Sequence, residues 1–454
     1  MLLAVALAGT AVVTRALGVK GYATWGTVLS LLTMFGFALD PGLAPVIVRR
    51  LSQGDPSLPG PASFLRIRLV LAAAVYTCVT VLTVILRGTA ALPVALVMAA
   101  QLFPRVVIQN AGTWLQAHHL LHRQSAYEVL TQLGGLAALA FGAVLSLPAA
   151  GLAAMGFFAP AVALASLMER QLGKVVERRS TSNDGQGVRN ALRAVIREAA
   201  PVAGATLLVS IYFRIDVFFV TPSETTAGLA SYLLAYRFIE QAAVVAGILA
   251  TTLMPMLSVR ALRVALVQDR ATAETLVAVA ALGGACAASM IGFSHPLTDL
   301  VGGPAFHRAA LLLSLLAPTV AGVFLNFFLG YLFMSLQMAK RYLWINGIGL
   351  LVNVAGNSLF TLSSGASSAA RVSYVTELVV VTLAAVPLAR DGSWSAVVKA
   401  LSIYGTAIAG AEGYAAGWFP ASVAAGGILI ATAALAAREL LASGRRLTAS
   451  RPLA

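Results

Sequence analysis

Runs of about twenty apolar residues recur from one end of this 454-residue chain to the other, separated by short segments that hold most of its charge. A hydrocarbon core about 30 Å thick is crossed by roughly 20 apolar residues of helix. With no water to hydrogen-bond the backbone in lipid, such runs must be helical. Only 11% of the residues are charged and 59% are hydrophobic, against about 25% charged in soluble domains. So few charges fail to cover the surface of a soluble protein of this size. The expected fold class is an all-α polytopic membrane protein.

Fourteen spans are expected, near residues 1–14, 22–47, 66–86, 91–116, 126–147, 149–168, 199–220, 227–254, 273–293, 309–336, 342–362, 368–389, 397–417 and 420–441. The first is short, with fourteen residues before Arg15. Either it starts at an unusual depth or the chain begins too far downstream; it lacks the basic n-region of a signal peptide. With the N-terminus inside, 23 of the 31 Lys and Arg fall in inner segments and the tail, among them Arg49, Arg50, Arg66, Arg68 and Arg123. Arg15, Lys20, Arg87, Arg308 and Arg371 fall outside, and Arg105, Arg214 and Arg237 lie within spans. Positive charge accumulates on the cytoplasmic side, so both termini are predicted cytoplasmic, in a multi-pass protein of the cell membrane. That placement assigns the net charge of +14 to topology and not to nucleic acid. Cys78 and Cys286 sit inside apolar runs and read as packing residues. His118, His119 and His122 read as a basic cluster at headgroup level, a metal site being the alternative. No Gly-Lys-Ser/Thr phosphate loop occurs in the sequence, so no cofactor and no ATP hydrolysis are expected. Transport would draw on an ion gradient or the membrane potential.

The expected organisation is an N-lobe of six spans at 1–170, a cytoplasmic linker at 171–197, a C-lobe of six spans at 198–390, and two extra helices with a basic tail at 391–454. Val188 to Glu198 in the linker region reads as an amphipathic helix on the inner membrane surface or as a solvated connection. The lobes resemble each other. Asn110-Ala111-Gly112 before Arg123 corresponds to Asn326 to Gly330 before Arg341, with Gly112 and Gly330, and Arg123 and Arg341, at an offset of 218, and Pro104 and Pro318 lie at similar depths. Six spans per lobe give a parallel repeat, as in transporters that bind substrate at midplane between rocking lobes.

Several motifs resemble those of one family. They are Arg15-Ala16-Leu17-Gly18 with Gly21-Tyr22, Asp40-Pro41-Gly42-Leu43 before Arg49-Arg50, Tyr212-Phe213-Arg214-Ile215-Asp216, Ala235-Tyr236-Arg237, and Gly302-Gly303-Pro304-Ala305-Phe306. Their order over about residues 10–390 is similar to that of the Wzx-type lipid-linked oligosaccharide flippases of the multidrug/oligosaccharidyl-lipid/polysaccharide (MOP, MATE-like) exporter superfamily. Leu362-Ser363-Ser364-Gly365 departs from it by lacking the family's proline. The resemblance implies a flippase, not an enzyme, that moves undecaprenyl-pyrophosphate-linked oligosaccharide outward for O-antigen, capsule or exopolysaccharide synthesis by alternating access. Its implied partners are the lipid-linked cargo, membrane lipids, a polysaccharide polymerase and a chain-length regulator. A MATE-like drug or cation antiporter and a peptidoglycan-precursor flippase are the alternatives. A membrane glycosyltransferase is disfavoured by the short outer segments, of which His295 to Arg308 is the longest.

Ionisable residues inside spans are costly and mark functional sites. Gln101, Arg105 and Gln109 recur every four residues and share one helical face. A guanidinium offers a planar fork of donors suited to phosphate, so these three are candidate cargo contacts, with Arg214 and Arg237 in the second lobe. Asp216 and Glu240 are candidate ion-coupling acids. The structural alternative for Arg214, Asp216, Arg237 and Glu240 is an ion-pair network inside one lobe. Asn346, Asn353 and Asn357 read mainly as interhelical packing, Asp40 as the cap of a turn, and Glu128, Glu377 and Glu412 as acids near span ends or on unmatched helices.

Overall fold

The apolar runs do form helices: the computed structural model is 92% helical, with no strand among the described residues. It describes residues 2–40, 42–52, 55, 58–117, 121–176, 185–261, 270–336, 338–388 and 394–449. The chain divides into two units, Met1–Phe218 and Phe219–Ala454.

In the first unit, α1 (Leu2–Gly36) holds one non-helical residue, Gly18, at φ 60° and ψ −170°. A glycine takes this conformation at no steric cost. The loop expected around 15–21 is thereby reduced to a kink, and the first two expected spans form a single apolar stretch, Leu3–Leu39. The second expected span also stops early. After a 3₁₀ turn at Phe37–Leu39, Asp40 Oδ1 accepts hydrogen bonds from the backbone N–H of Leu43 (3.0 Å) and Ala44 (3.1 Å). That caps a separate helix, α2 (Leu43–Ser52), as Asp does at helix starts.

Next come α3 (Pro61–Arg87), α4 (Leu92–Ala100) and α5 (Leu102–Ala117). The expected span at 91–116 thus breaks at Gln101. Pro104 has no N–H to offer the Ala100 carbonyl, and its ring crowds that turn. Then follow α6 (Leu121–Val144), α7 (Ala149–Ala153), a π turn at Ala154–Phe158 and α8 (Ala159–Val176). The polar segment Val188–Glu198 is the opening of one continuous helix, α9 (Gly185–Tyr212), which packs on α1 and α2. The expected span at 199–220 ends at Tyr212 in a turn, and α10 (Val217–Ser223) follows. One apolar cluster, including Leu43, Ile47, Phe64, Trp114, Met168 and Val195, joins α2, α3, α5, α8 and α9.

The second unit contains α11 (Thr226–Ala261), α12 (Arg270–Gly292), α13 (Ser294–Gly302), α14 (Ala309–Ser335) and α15 (Ala339–Gly356). A π turn at Asn357–Thr361 leads to α16 (Leu362–Ser364), α17 (Ala366–Leu388), α18 (Trp394–Ala415) and α19 (Ala421–Ala449). Apolar almost throughout, α14 is buried along its whole length and packs on α11, α12, α17 and α18. α18 and α19 pack on α12 through small residues: Ala287 and Ala288 meet Ala407, Ala411, Ala424 and Ala425. The segment His295 to Arg308, expected as an outer loop, is mostly helical. A shift of 218 residues carries 92–117 onto 310–335, where α14 lies, and 121–144 onto 339–362, where α15 and its π turn lie. At this offset these two segments match in helix placement.

Large apolar side chains point outward along these helices. Trp344, Leu351, Leu359, Trp418 and Ile430 are each at least 70% exposed. An outer surface of this kind suits lipid, not water. Among the described residues nine helical stretches are long and apolar enough to cross a bilayer, and Glu128–Val144 and Ala421–Ala437 are shorter apolar helices.

Packing around α14 gives a direct test. A Cβ built on Gly322 falls 2.6 Å from Glu377 Cβ and 2.8 Å from Tyr404 Oη, whereas one on Gly405 meets nothing within 4 Å. Gly322→Ala is expected to destabilise by about 1–3 kcal/mol, and Gly405→Ala to be neutral or to stabilise by up to about 1 kcal/mol. Thermal unfolding midpoints of the purified protein in detergent check both.

Candidate functional site

Arg68 was counted above with the inner-loop residues. Because α3 starts at Pro61 and not near 66, Arg68 lies two turns inside the helix, and it is fully buried. Its Nη1 donates to Asn110 Oδ1 (2.8 Å) and its Nη2 to Thr113 Oγ1 (3.4 Å), both on α5. Nη2 also lies 3.1 Å from Asp40 Oδ1, the atom that caps α2. Asn110 Nδ2 donates in turn to the Pro61 carbonyl (3.3 Å). A buried guanidinium is tolerated only when paired and hydrogen-bonded, and here the partners come from the start of α2 and from α5. α2 is further tied to α9: Arg49 pairs with Glu198, and Arg50 donates to Glu198 Oε2 through Nε (3.2 Å) and Nη2 (2.8 Å).

On α5 this network fixes the buried side. Arg105 is five residues from Asn110, about 140° around a helix of 3.6 residues per turn. Arg105 is exposed, and its side chain has no hydrogen-bond or ion-pair partner among the described residues. It lies in the apolar stretch Thr89–Ala117, about 24 Å from one end and 18 Å from the other at 1.5 Å per residue. An exposed guanidinium at that depth faces lipid at a cost of about 2.5–3.5 kcal/mol or more, or faces water. On energetic grounds water is favoured over lipid at this face of α5. Gln101, at the helix break, and Gln109 are half-buried on either side of it. Gln109 Oε1 is buried without a hydrogen-bond partner among the described residues. The face therefore presents an uncompensated donor fork, while the Gln109 acceptor beside it is turned into the protein.

The other candidates sit in different surroundings. Arg214 and Asp216 occupy the turn between α9 and α10, not a helix, and both are buried. Arg214 Nη1 donates to Ser30 Oγ (3.1 Å), and Asp216 Oδ1 accepts from the Val217 N–H (2.9 Å) at the start of α10. On α11, Arg237 Nη1 donates to Glu240 Oε2 at 2.7 Å, one turn away, and the rings of Tyr232 and Tyr236 pack 5.8 Å apart.

Asn346, Asn353 and Asn357 are buried, but their hydrogen bonds run along their own helix. Asn346 Nδ2 donates to the Tyr342 carbonyl, Asn357 Nδ2 to Asn353, and Thr361 Oγ1 to Asn357 Oδ1. The packing role comes from Gly349 and Gly356, which lie against Val380 and Val372 of α17. Of the three histidines, His118 and His119 and the His122 side chain lie outside the described residues.

Three further residues escaped the sequence reading of the site. One is Arg68. Another is Glu224, which holds Arg308 (3.0 and 3.4 Å) and accepts from the N–H of Ala366 (2.9 Å) at the start of α17. Gly228 leaves room for that carboxylate, since a Cβ there would overlap it. The third is Glu377, expected near a span end; it lies halfway along α17, is buried, and accepts from Asn326 Nδ2 (3.1 Å).

No family profile matches the chain, and no curated protein matches it. Solved structures do. The chain is similar to the lipid II flippase MurJ in an inward closed conformation, with a TM-score of 0.67 and 11% identity over 98% of this chain and 99% of that one. It is similar to an inward-facing MATE family multidrug resistance transporter of the MOP superfamily, with a TM-score of 0.64 and 14% identity over 86% and 95%. A MATE transporter from Vibrio cholerae gives 0.59 and 15% over 88% and 95%. The chain thus has the fold of the MOP superfamily transporters and is a multi-pass membrane protein. The structures that share this fold are flippases and transporters.

The Arg68 network predicts a stability difference. Asp40→Ala removes the α2 cap and leaves Arg68 buried beside an uncompensated gap. A cost of about 3 kcal/mol is expected, the lower end for a broken buried pair, because Asp40 is 21% exposed. Asp40→Asn keeps an acceptor for the α2 N–H groups and is expected to cost less. Chemical or thermal unfolding of the two variants side by side checks the order.

Proposed function

We propose that the protein is a flippase for an undecaprenyl-pyrophosphate-linked oligosaccharide of the Wzx type, serving surface polysaccharide synthesis at the cytoplasmic membrane. The observation that carries this reading is Arg105: a mid-span guanidinium, exposed and without an ion-pair partner among the described residues. Guanidinium forks bind phosphate oxygens in pairs. Gln101 and Gln109 flank it, both half-buried. Anionic cargo meets that need; a cationic drug does not and would be repelled by Arg105.

Arg214 is engaged by Ser30 and Arg237 by Glu240, so the proposal rests chiefly on Arg105. Asp216 and Glu240 remain its proposed ion-coupling acids. A proton taken by Glu240 would release Arg237 for an anion, linking cargo binding to a gradient without ATP.

A second reading, carriage of a lipid-linked peptidoglycan precursor, is favoured by one finding. The likeness to the lipid II flippase runs over 98% of this chain, whereas that to the inward-facing MATE transporter runs over 86%. Both readings share a pyrophosphate-linked lipid and differ in the glycan.

The experiment is complementation of a strain lacking the gene, scored by surface polysaccharide and by lipid-linked intermediates held in the inner leaflet. At equal membrane levels, Arg105→Ala is expected to lower export at least about tenfold, the loss of one charge-assisted contact of about 1.5–3 kcal/mol. Arg105→Lys should retain part of it, since charge survives without the fork. Full export by Arg105→Ala removes the residue from the proposal, and accumulation of peptidoglycan precursors in its place selects the second reading.

A further inference from the structure

The first four turns of α9 carry charge that the transport reading does not use. Arg189, Arg193 and Arg197 recur every four residues and are all exposed, so they form one row along the helix. No described residue pairs with any of them. Ile196 is 45% exposed on the same side. The opposite side, with Leu192, Val195 and Ala199, packs into the apolar cluster shared by α2, α3, α5 and α8. The row is therefore held at a fixed orientation by the first unit and is no free linker.

α9 then continues without interruption into the apolar stretch 199–212. Its 28 residues make about 42 Å of helix, close to the roughly 40–45 Å of a bilayer with its headgroups. Arg197 stands at the edge of the apolar stretch, Arg193 about 6 Å and Arg189 about 12 Å beyond it. A basic row mixed with an apolar side chain at this depth has the character of an interfacial surface, and clustered arginines beside a span attract anionic headgroups.

We propose that the Arg189–Arg193–Arg197 row of α9 is a binding surface for the phosphodiester headgroups of anionic membrane lipids. Charge complementarity and the continuity of α9 with the spanning segment choose this occupant. The inference stands apart from the flippase reading, because it concerns bilayer lipid and not cargo.

The test uses the full-length protein in vesicles of mixed phosphatidylglycerol and phosphatidylcholine, with spin-labelled lipid of either kind reporting the fraction immobilised at the protein. Wild type is expected to prefer phosphatidylglycerol several-fold, and the preference should shrink with added salt. R189Q/R193Q/R197Q should lose it, bringing the ratio of phosphatidylglycerol to phosphatidylcholine back to about one. R189K/R193K/R197K should keep most of it, and Lys20→Gln, away from the row, all of it. These four side chains are exposed, so folding should survive, and an unchanged unfolding midpoint verifies that it has. No preference in wild type, or the same preference in the glutamine variant, overturns the proposal. Displacement of labelled lipid by micromolar pyrophosphate also overturns it, in favour of a discrete phosphate pocket.

Discussion

A guanidinium with no exposed surface governs the architecture of the first unit. Arg68 is buried at a depth where an unpaired charge would cost more than most single side chains contribute, so the chain around it must supply acceptors. Asp40 supplies one from the turn before α2, and Asn110 and Thr113 supply two from α5. Satisfying one side chain therefore sets how α3, α5 and the start of α2 sit against each other. The connection goes on through α2, whose Arg49 and Arg50 both meet Glu198 of α9. A polar chain thus runs from α5 to α9, and every link in it is a charge or a partner of one.

The same constraint orients the candidate site. Once Asn110 is turned toward Arg68, the rotation of α5 is fixed, and Arg105 lies about 140° around the helix from it. The two arginines then differ only in what they meet. Arg68 is paired with Asp40 and hydrogen-bonded through both Nη atoms, as a structural charge should be. Arg105 faces open space uncompensated, which is a state a membrane helix keeps when that space holds water or an anionic visitor.

Much of this was legible before the structure. The length of the apolar runs gave the helices, the spacing of four gave the face of Gln101, Arg105 and Gln109, and the Asp40 cap followed from its place before Pro41-Gly42. The repeat offset mapped α14 and α15 onto their counterparts. The misses have physical causes. Gly18 shortens a loop to one residue through its backbone conformation, which hydropathy does not register. Arg68 looked like a loop residue because Pro61 starts α3 a turn and a half before the hydropathy rises. Pro104 and Pro318 sit in equivalent spans, yet α5 is broken from α4 while α14 stays continuous, held by neighbours on many sides. Long-range partners such as Glu224 with Arg308, 84 residues apart, leave no periodic trace.

Charge is also distributed unequally along the chain. In the second unit Glu224 holds Arg308, Arg237 meets Glu240, Glu412 takes Arg371 and Tyr374, and Glu377 accepts from Asn326. Apart from the Arg237–Glu240 pair, which lies within α11, those bonds fasten α14, α17 and α18 to one another and to their connections. Only in the first unit, among the described residues, does a mid-span arginine remain uncommitted. On the proposed reading this division has a consequence for coupling. An anion can bind to Arg105 without breaking any existing pair, so binding there is opposed by little. Binding at Arg237 must first dissolve its pair with Glu240, and that step is where a proton can enter. Cargo recognition and energy coupling would then fall on different halves of the chain, because one half keeps its cation free and the other keeps its cation paired with an acid.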